Sequence, residues 1–289
     1  MIQERIECPF PTSLYHTVVS HGWVQLAPWH WDSNKLELSR PERLTTRNLD
    51  SVKVSQLNVR NLVVCVDDET LGQVEYENIE STVKRWLSLD WDPRSAINTA
   101  ATVDPLLSLF IKHGGGRFLR CSTFYEDLVK TVCTINTNWA ATRRMVSSLV
   151  DILGDGFFPT PLEIIEGGER FLRRELRLGF RAKVLTEISS QLLDQGIVDS
   201  QGNLTDVGIG FEDLLGLRGI GQYSAGHLMM LCHDFSRVPI DSEVTRYCKD
   251  HYNIGFEDIQ AFFDGWGNHR FLGYKLNRIM SGTNWTGST

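Results

Sequence analysis

The sequence of 289 residues contains no apolar run near the ~20 residues that a membrane-crossing helix requires. Its opening stretch, MIQERIECPFPTS, lacks the basic-then-apolar pattern of an export signal, so the expectation is a cytoplasmic or nucleoid protein with no membrane contact. The six cysteines are scattered without a Cys-x-x-Cys pair, which argues against a disulfide framework and for free thiols. One arrangement has a metal-like look, Cys232-His233 with Cys248-x-x-His251. The first two are adjacent and point apart, so no metal is expected. Basic charge is not in excess either: the net charge of −7 argues against a nonspecific electrostatic grip on nucleic acid. KHGGGRF offers three glycines in a row, but no Gly-Lys-Ser/Thr follows, so a domain junction is read there instead of a phosphate loop. Internal repeats and low-complexity tracts are absent.

What is present is an ordinary globular composition, 42% hydrophobic and 22% charged, in a chain long enough for one large or two modest domains. Residues 1–113 read as a β-rich N-terminal domain: a small antiparallel sheet plus a helix. Strand-like alternation occurs in GWVQLAP, KLELSR, NVRNLVVCVDD and GQVEYE, and a helix follows over NIESTVKRWLSLD with Val83, Trp86 and Leu87 on one side. Residues 114–289 read as helical. Thr123 and Glu126 form a capping-box pattern ahead of DLVKTVCTI. Apolar residues then recur near i, i+3, i+4 through WAATRRMVSSLVDIL, RAKVLTEISSQLLDQG, YSAGHLMMLCHDF, SEVTRYCKDHY, FEDIQAFFDGW and HRFLGYKLNRIM. The fold class expected is α+β, the sheet preceding an all-helical domain. Charge is uneven: residues 111–190 carry twelve Lys and Arg against nine Asp and Glu.

Within the helical part, LRGIGQYSAG places Gly219 and Gly221 between a short helix, FEDLLGL, and an apolar one. Glycines there permit a tight helix-helix corner, and they also let a phosphate approach amides at a helix N-terminus. Both readings stand on the hairpin alone. Eighteen residues past Tyr223, RVPIDSEVTRY offers one acid, Asp241, behind a proline. An aspartate in that position caps the following helix. It is also suited to stabilise a cationic sugar and to orient water.

The pair, L-x-G-I-G-x-Y-S-A and then VPIDSEV, resembles the helix-hairpin-helix DNA glycosylase superfamily. FYEDLVKTVCTINTNWAATRRMVSSLV, LGFRAKVL and FFDGWGNHRFLGYKL resemble further segments of its 8-oxoguanine and alkylpurine branches, in the same order, over residues 115–280. The resemblance implies a monomer acting on double-stranded DNA that holds a damaged base. Asp241 would be the catalytic carboxylate, and Tyr223, Trp139 and Phe124 the base-pocket candidates. Gly219, Gly221, Arg218, Gln222, Ser224, Arg143, Arg181 and Lys183 would face the backbone, and Asn136 or Asn138 would enter the gap left by the extruded nucleotide. Each has a plainer reading: Tyr223 and Trp139 as packing residues, Asn136 and Asn138 as a polar loop. Strand-cutting members carry lysine where this chain has Tyr223, and a phenol with a reference pKa near ~10 forms no imine, so simple hydrolysis is expected. Arg218 stands where the hairpin usually has proline. Only Cys248 follows Asp241, which excludes the family's iron–sulfur cluster; the hairpin leaves room for a monovalent cation and no other cofactor is called for. An alkylated purine is the favoured base. The alternatives are 8-oxoguanine, uracil or hypoxanthine, or a noncatalytic binder of DNA structure.

Overall fold

The computed structural model describes residues 2–206 and 208–281. Five strands, β1 (Ile2–Glu7), β2 (His30–Asp32), β3 (Glu37–Arg43), β4 (Asn48–Asn58) and β5 (Asn61–Val66), form one antiparallel sheet in the order β1-β5-β4-β3-β2. Alternation decides the buried face: Val52 and Val54 of β4 meet Val66 and Val64 of β5 on one side, and Arg40 and Leu38 of β3 on the other.

Helices make up most of the rest: α1 (Leu14–Val18), α2 (Gln73–Trp86), α3 (Arg94–Val103), α4 (Pro105–Lys112), α5 (Phe124–Thr134), α6 (Trp139–Ser148), α7 (Pro161–Arg174), α8 (Arg181–Asp194), α9 (Phe211–Gly216), α10 (Gln222–Leu231), α11 (Ser242–Tyr252), α12 (Ile259–Phe262) and α13 (Arg270–Ser281). The α+β class is as expected, a sheet followed by helices. Among the described residues no helix is long and apolar enough to cross a membrane.

Four local readings are corrected. GWVQLAP is not a strand but a 3₁₀ turn, Gly22–Gln25. GQVEYE opens α2, because the Glu75 carboxylate accepts the Gly72 amide at 2.7 Å and holds the first turn. FEDIQAFFDGW is broken into short pieces, with Gly267 at φ +52° interrupting the last of them. Thr123 does cap α5, accepting the Glu126 amide at 3.1 Å, but the Glu126 side chain does not return to the cap.

Glu126 turns inward instead. Every residue from Phe124 to Cys133 is buried, so α5 is the axis on which the sheet and the other helices pack. Arg40 of β3 donates to both Glu126 oxygens at 2.9 Å, its Nε lies 2.6 Å from Glu42 Oε1, and Lys130 Nζ lies 2.7 Å from Glu126 Oε1. Ser122 closes the group by donating to Glu42. The next residue, Asp127, accepts from Trp23 Nε1 at 2.9 Å, the Cys121 amide at 3.0 Å and Arg85 at 2.8 Å. These carboxylates fasten the N-terminal segment to the helices, and the buried apolar cluster runs without a break through both. The three glycines of KHGGGRF are buried; a Cβ on Gly115 would lie 2.2 Å from the Phe110 ring, so packing, not exposure, demands glycine there.

Candidate active site

Helix α9, the turn Leu217–Gly221 and α10 form the hairpin. Leu217 and Ile220 anchor the turn in the core, and the Ile220 amide donates to Leu217 O at 3.2 Å. Gly219 has φ +77°, and a Cβ there would stand 2.8 Å from Val184 Cγ1 of α8, so both backbone and neighbour require glycine. Gly221 differs: its φ of −103° suits any residue, and a Cβ would meet nothing within 4 Å. The space over it is open to the outside. The first bond of α10 is Ala225 N–H to Gly221 O at 2.9 Å, which leaves the amides of Gln222, Tyr223 and Ser224 outside the helical ladder. They form the positive end of a helix dipole beside two exposed glycines. Gly219→Ala is expected to destabilise by about 1–2 kcal/mol through the left-handed backbone alone, with displacement of Val184 in addition. A melting temperature equal to that of the unaltered protein would contradict this.

Asp241 caps α11, its Oδ1 accepting the Glu243 amide at 2.9 Å and the Val244 amide at 2.7 Å. Both cap bonds fall on one oxygen, which leaves Oδ2 outside the cap. Gly226, last residue of the LRGIGQYSAG stretch, ties this acid to the hairpin. A Cβ at Gly226 would come within 3.2 Å of Pro239 Cβ, so its absence lets the loop before Asp241 lie directly on α10.

Tyr223 and Asp241 therefore line one cleft of about 1230 Å³, together with Trp139, Asn136, Ser224, Gln222 and both hairpin glycines. Burial, then the Asp241 and Glu243 carboxylates, push the Tyr223 phenol well above its ordinary range. Trp139 is not a core residue. It is 37% exposed, donates from Nε1 to Gln25 Oε1 at 2.7 Å, and covers Gly22, where a Cβ would meet its ring at 2.6 Å. Asn136 lines the cleft with φ +48°. Asn138 caps α6, its oxygen accepting the Ala141 amide at 2.9 Å. Arg143 is exposed on α6, and Lys183 and Arg218 both lie against Glu187, at 3.9 and 2.7 Å.

Asn138, Arg143, Lys183 and Arg218 lie outside the cleft lining, and two further residues are sealed inside the protein. Arg181 is 6% exposed and donates to the carbonyls of Val132, at 3.2 Å, and Ile135, so it holds the C-terminal end of α5 and not a phosphate. Phe124 is 1% exposed, in the core at the start of α5, and does not line the cleft.

The cleft also contains groups that the sequence reading did not single out. His21 and Trp23 come from the N-terminal segment; the His21 Nε2–H donates to Leu119 O at 2.7 Å. His227 stands one helical turn past Tyr223, so the i, i+4 spacing alone would have found it, and burial followed by the Lys275 charge lowers its pKa to about 4. Burial likewise holds His21 well below the usual imidazole range. From α13 come Tyr274, Lys275 and Arg278; Arg278 pairs with Glu243 and donates to the Tyr274 hydroxyl at 3.0 Å. Among the described residues no three His, Cys, Asp or Glu side chains converge as a metal site, and His233 is taken up by Arg120 at 2.9 Å.

The sheet leading into helices is a fold shared with solved DNA glycosylases. The 8-oxoguanine glycosylase/lyase of Clostridium acetobutylicum superposes with a TM-score of 0.70 at 18% identity, covering 96% of each chain; its complex with double-stranded DNA containing cytosine opposite 8-oxoG gives 0.64 at 18% identity, over 96% of this chain and 98% of that one. The 3-methyladenine DNA-glycosylase of Archaeoglobus fulgidus gives 0.69 at 19% identity, over 94% of this chain and 97% of that one. In sequence, an N-glycosylase/DNA lyase of Saccharomyces cerevisiae is 27% identical over 154 residues, a stretch that spans 45% of this chain and 40% of that protein. No profile of a known protein family matches the chain.

Proposed function

We propose that the protein is a DNA glycosylase that hydrolyses the N-glycosidic bond of a base extruded from the duplex. The observation that carries this is the Gly226–Pro239 contact, which brings Asp241, Tyr223 and the free amides of α10 to one cleft. In this reading the amides hold a backbone phosphate beside the target, Arg143 and Lys183 add contacts, and Asn136 enters the vacated stack. Loss of the base develops positive charge at C1′, which the Asp241 carboxylate stabilises while orienting the attacking water. Asp241 and the amides belong to residues 114–289, and residues 1–113 supply His21 and Trp23 to the same cleft. The protein acts as a monomer.

The favoured substrate is an alkylated purine. Trp139 and Tyr223 line the cleft with aromatic rings, the kind of group that attracts an electron-poor or cationic base, and such bases are good leaving groups. The second reading, 8-oxoguanine, is favoured by the Clostridium relative, which is an 8-oxoguanine glycosylase/lyase. Duplexes carrying alkylated purines, 8-oxoguanine, uracil or hypoxanthine, treated with protein and then hot alkali, test both. Strand scission is expected with alkylated DNA. Scission confined to 8-oxoguanine moves the assignment to that base, and none on any duplex rejects the enzyme in favour of a noncatalytic DNA binder.

A further inference from the structure

Lys275 is the cleft's one lysine among the described residues. It projects from α13, and among those residues no hydrogen bond or ion pair engages its Nζ. Its charge depresses His227 of α10 and His21 of the N-terminal segment. It is drawn in turn by Asp241 and Glu243 at the start of α11, with Arg278 beside it on α13. The ammonium therefore stands between the acid end of the cleft and the imidazole end, where Tyr223 stacks on His227 with ring centroids 6.0 Å apart. A nucleoside with its sugar at Asp241 and its base toward Tyr223 has its glycosidic bond beside that ammonium.

Release of a neutral base calls for a proton donor, because the glycosidic electron pair otherwise leaves on the base as an anion. The titratable groups of the cleft leave one candidate. Burial holds His21 well below the usual imidazole range and His227 at about 4, so both rings are neutral at pH 7. Burial pushes the Tyr223 phenol above its ordinary range and Tyr274 up to about 12, too weak to give up a proton. Arg278 never releases one, and Glu243 is its ion-pair partner. Asp241 faces the sugar in this reading. Burial, then Arg278, lowers the Lys275 ammonium to about 8, which leaves it charged at pH 7 yet ready to donate.

We propose that Lys275 is the general acid that protonates the departing base, and that the bases released are therefore purine lesions that carry no charge in DNA. The inference rests on the glycosylase reading and narrows its substrate. Lys275 gives its Nζ proton to a ring nitrogen of the base, the electron pair of the C1′–N bond goes to the base, and the base leaves neutral. Water adds to C1′ and loses a proton to Asp241; solvent carries that proton on, and the Lys275 amine is reprotonated. A base that is already a cation in DNA, such as 3-methyladenine, needs no such proton, and the ammonium repels it. The Trp139 and Tyr223 rings accept an electron-poor base of either kind, so Lys275 selects the alkylated purines that stay neutral, such as ethenoadenine.

The test measures enzyme-dependent, single-turnover base release by the full chain from about pH 6 to about pH 9.5. The substrates are duplexes carrying a neutral lesion (ethenoadenine, hypoxanthine or 8-oxoguanine) and DNA treated with dimethyl sulfate, which carries cationic 3-methyladenine. A neutral lesion should be released faster, at a rate that falls as pH rises through about 8 and the ammonium loses its proton. Lys275→Met should lower the ratio of neutral to cationic release by about 10²-fold or more and abolish that alkaline limb. Lys275→Arg, which keeps the charge but gives up no proton, should lose neutral-base release to the same extent. Release of cationic bases only, a profile without the alkaline limb, or equal slowing of both kinds by Lys275→Met overturns the proposal and leaves the glycosylase reading intact. No release from any duplex rejects the glycosylase reading, and this proposal with it. The pH profile of the unaltered protein does not depend on either variant folding.

Discussion

Asp241→Asn is expected to slow base release by about 10²–10⁴-fold, the range lost when one positioned acid, base or electrostatic group is removed from an active site. Asparagine is the informative replacement because the proposed function gives Asp241 a second role beside its capping one. As the cap of α11 it accepts the Glu243 and Val244 amides through Oδ1. Asparagine caps a helix about as well as aspartate, so the fold of α11 and the line of the loop on Gly226 are retained. What asparagine cannot do is carry negative charge beside a cationic sugar. The variant should therefore melt close to the unaltered protein and bind a lesion duplex with similar affinity, while single-turnover base release collapses. Asp241→Ala loses the charge and the cap together, adding about 1 kcal/mol of destabilisation. Release by Asp241→Asn within tenfold of the unaltered rate would reduce Asp241 to a cap and remove the chemical centre from the reading.

The hairpin and the acid were legible because their information is local. A left-handed glycine, a helix start and a capping aspartate each announce themselves within a few residues. The helix periodicities of α6, α8, α10 and α11 did the same. The cleft's opposite wall was not legible. Trp23 is fixed by a hydrogen bond to Asp127, 104 residues away, and no pattern in GWVQLAP reveals that partner. Alternation there, and in GQVEYE, imitated a strand; in the second case one carboxylate on the Gly72 amide tipped the segment to helix. Basic residues posed the same difficulty. Arg181 and Lys183 look alike in RAKVL, yet one is sealed beneath α5 and the other is solvated.

Glu126→Gln should produce the largest loss of stability, about 3–5 kcal/mol, because it breaks a fully buried ion cluster by removing one member. The amide fits the same space but leaves Arg40 and Lys130 facing each other with Glu42 as the remaining anion. Melting should fall by about 2–4 °C for each kcal/mol. The same site sets the acid limb of stability. Burial pushes the Glu126 carboxyl up, but Arg40 and Lys130 outweigh it and hold the group at about 2, below its ordinary 4.5. A depressed carboxyl contributes stability that is complete above its unfolded value near 4.5 and is lost as pH falls through about 2. Glu42 acts in the opposite sense: burial exceeds the pull of Arg40 and raises it to about 7, so its contribution weakens as pH rises from 4.5 through 7. Denaturant melts between pH 3 and pH 8 separate the two, since Glu126→Gln should flatten the acid limb and Glu42→Gln the neutral one. An unchanged acid limb in Glu126→Gln would mean that other carboxylates govern acid unfolding and that the sheet is held on α5 by its apolar face alone.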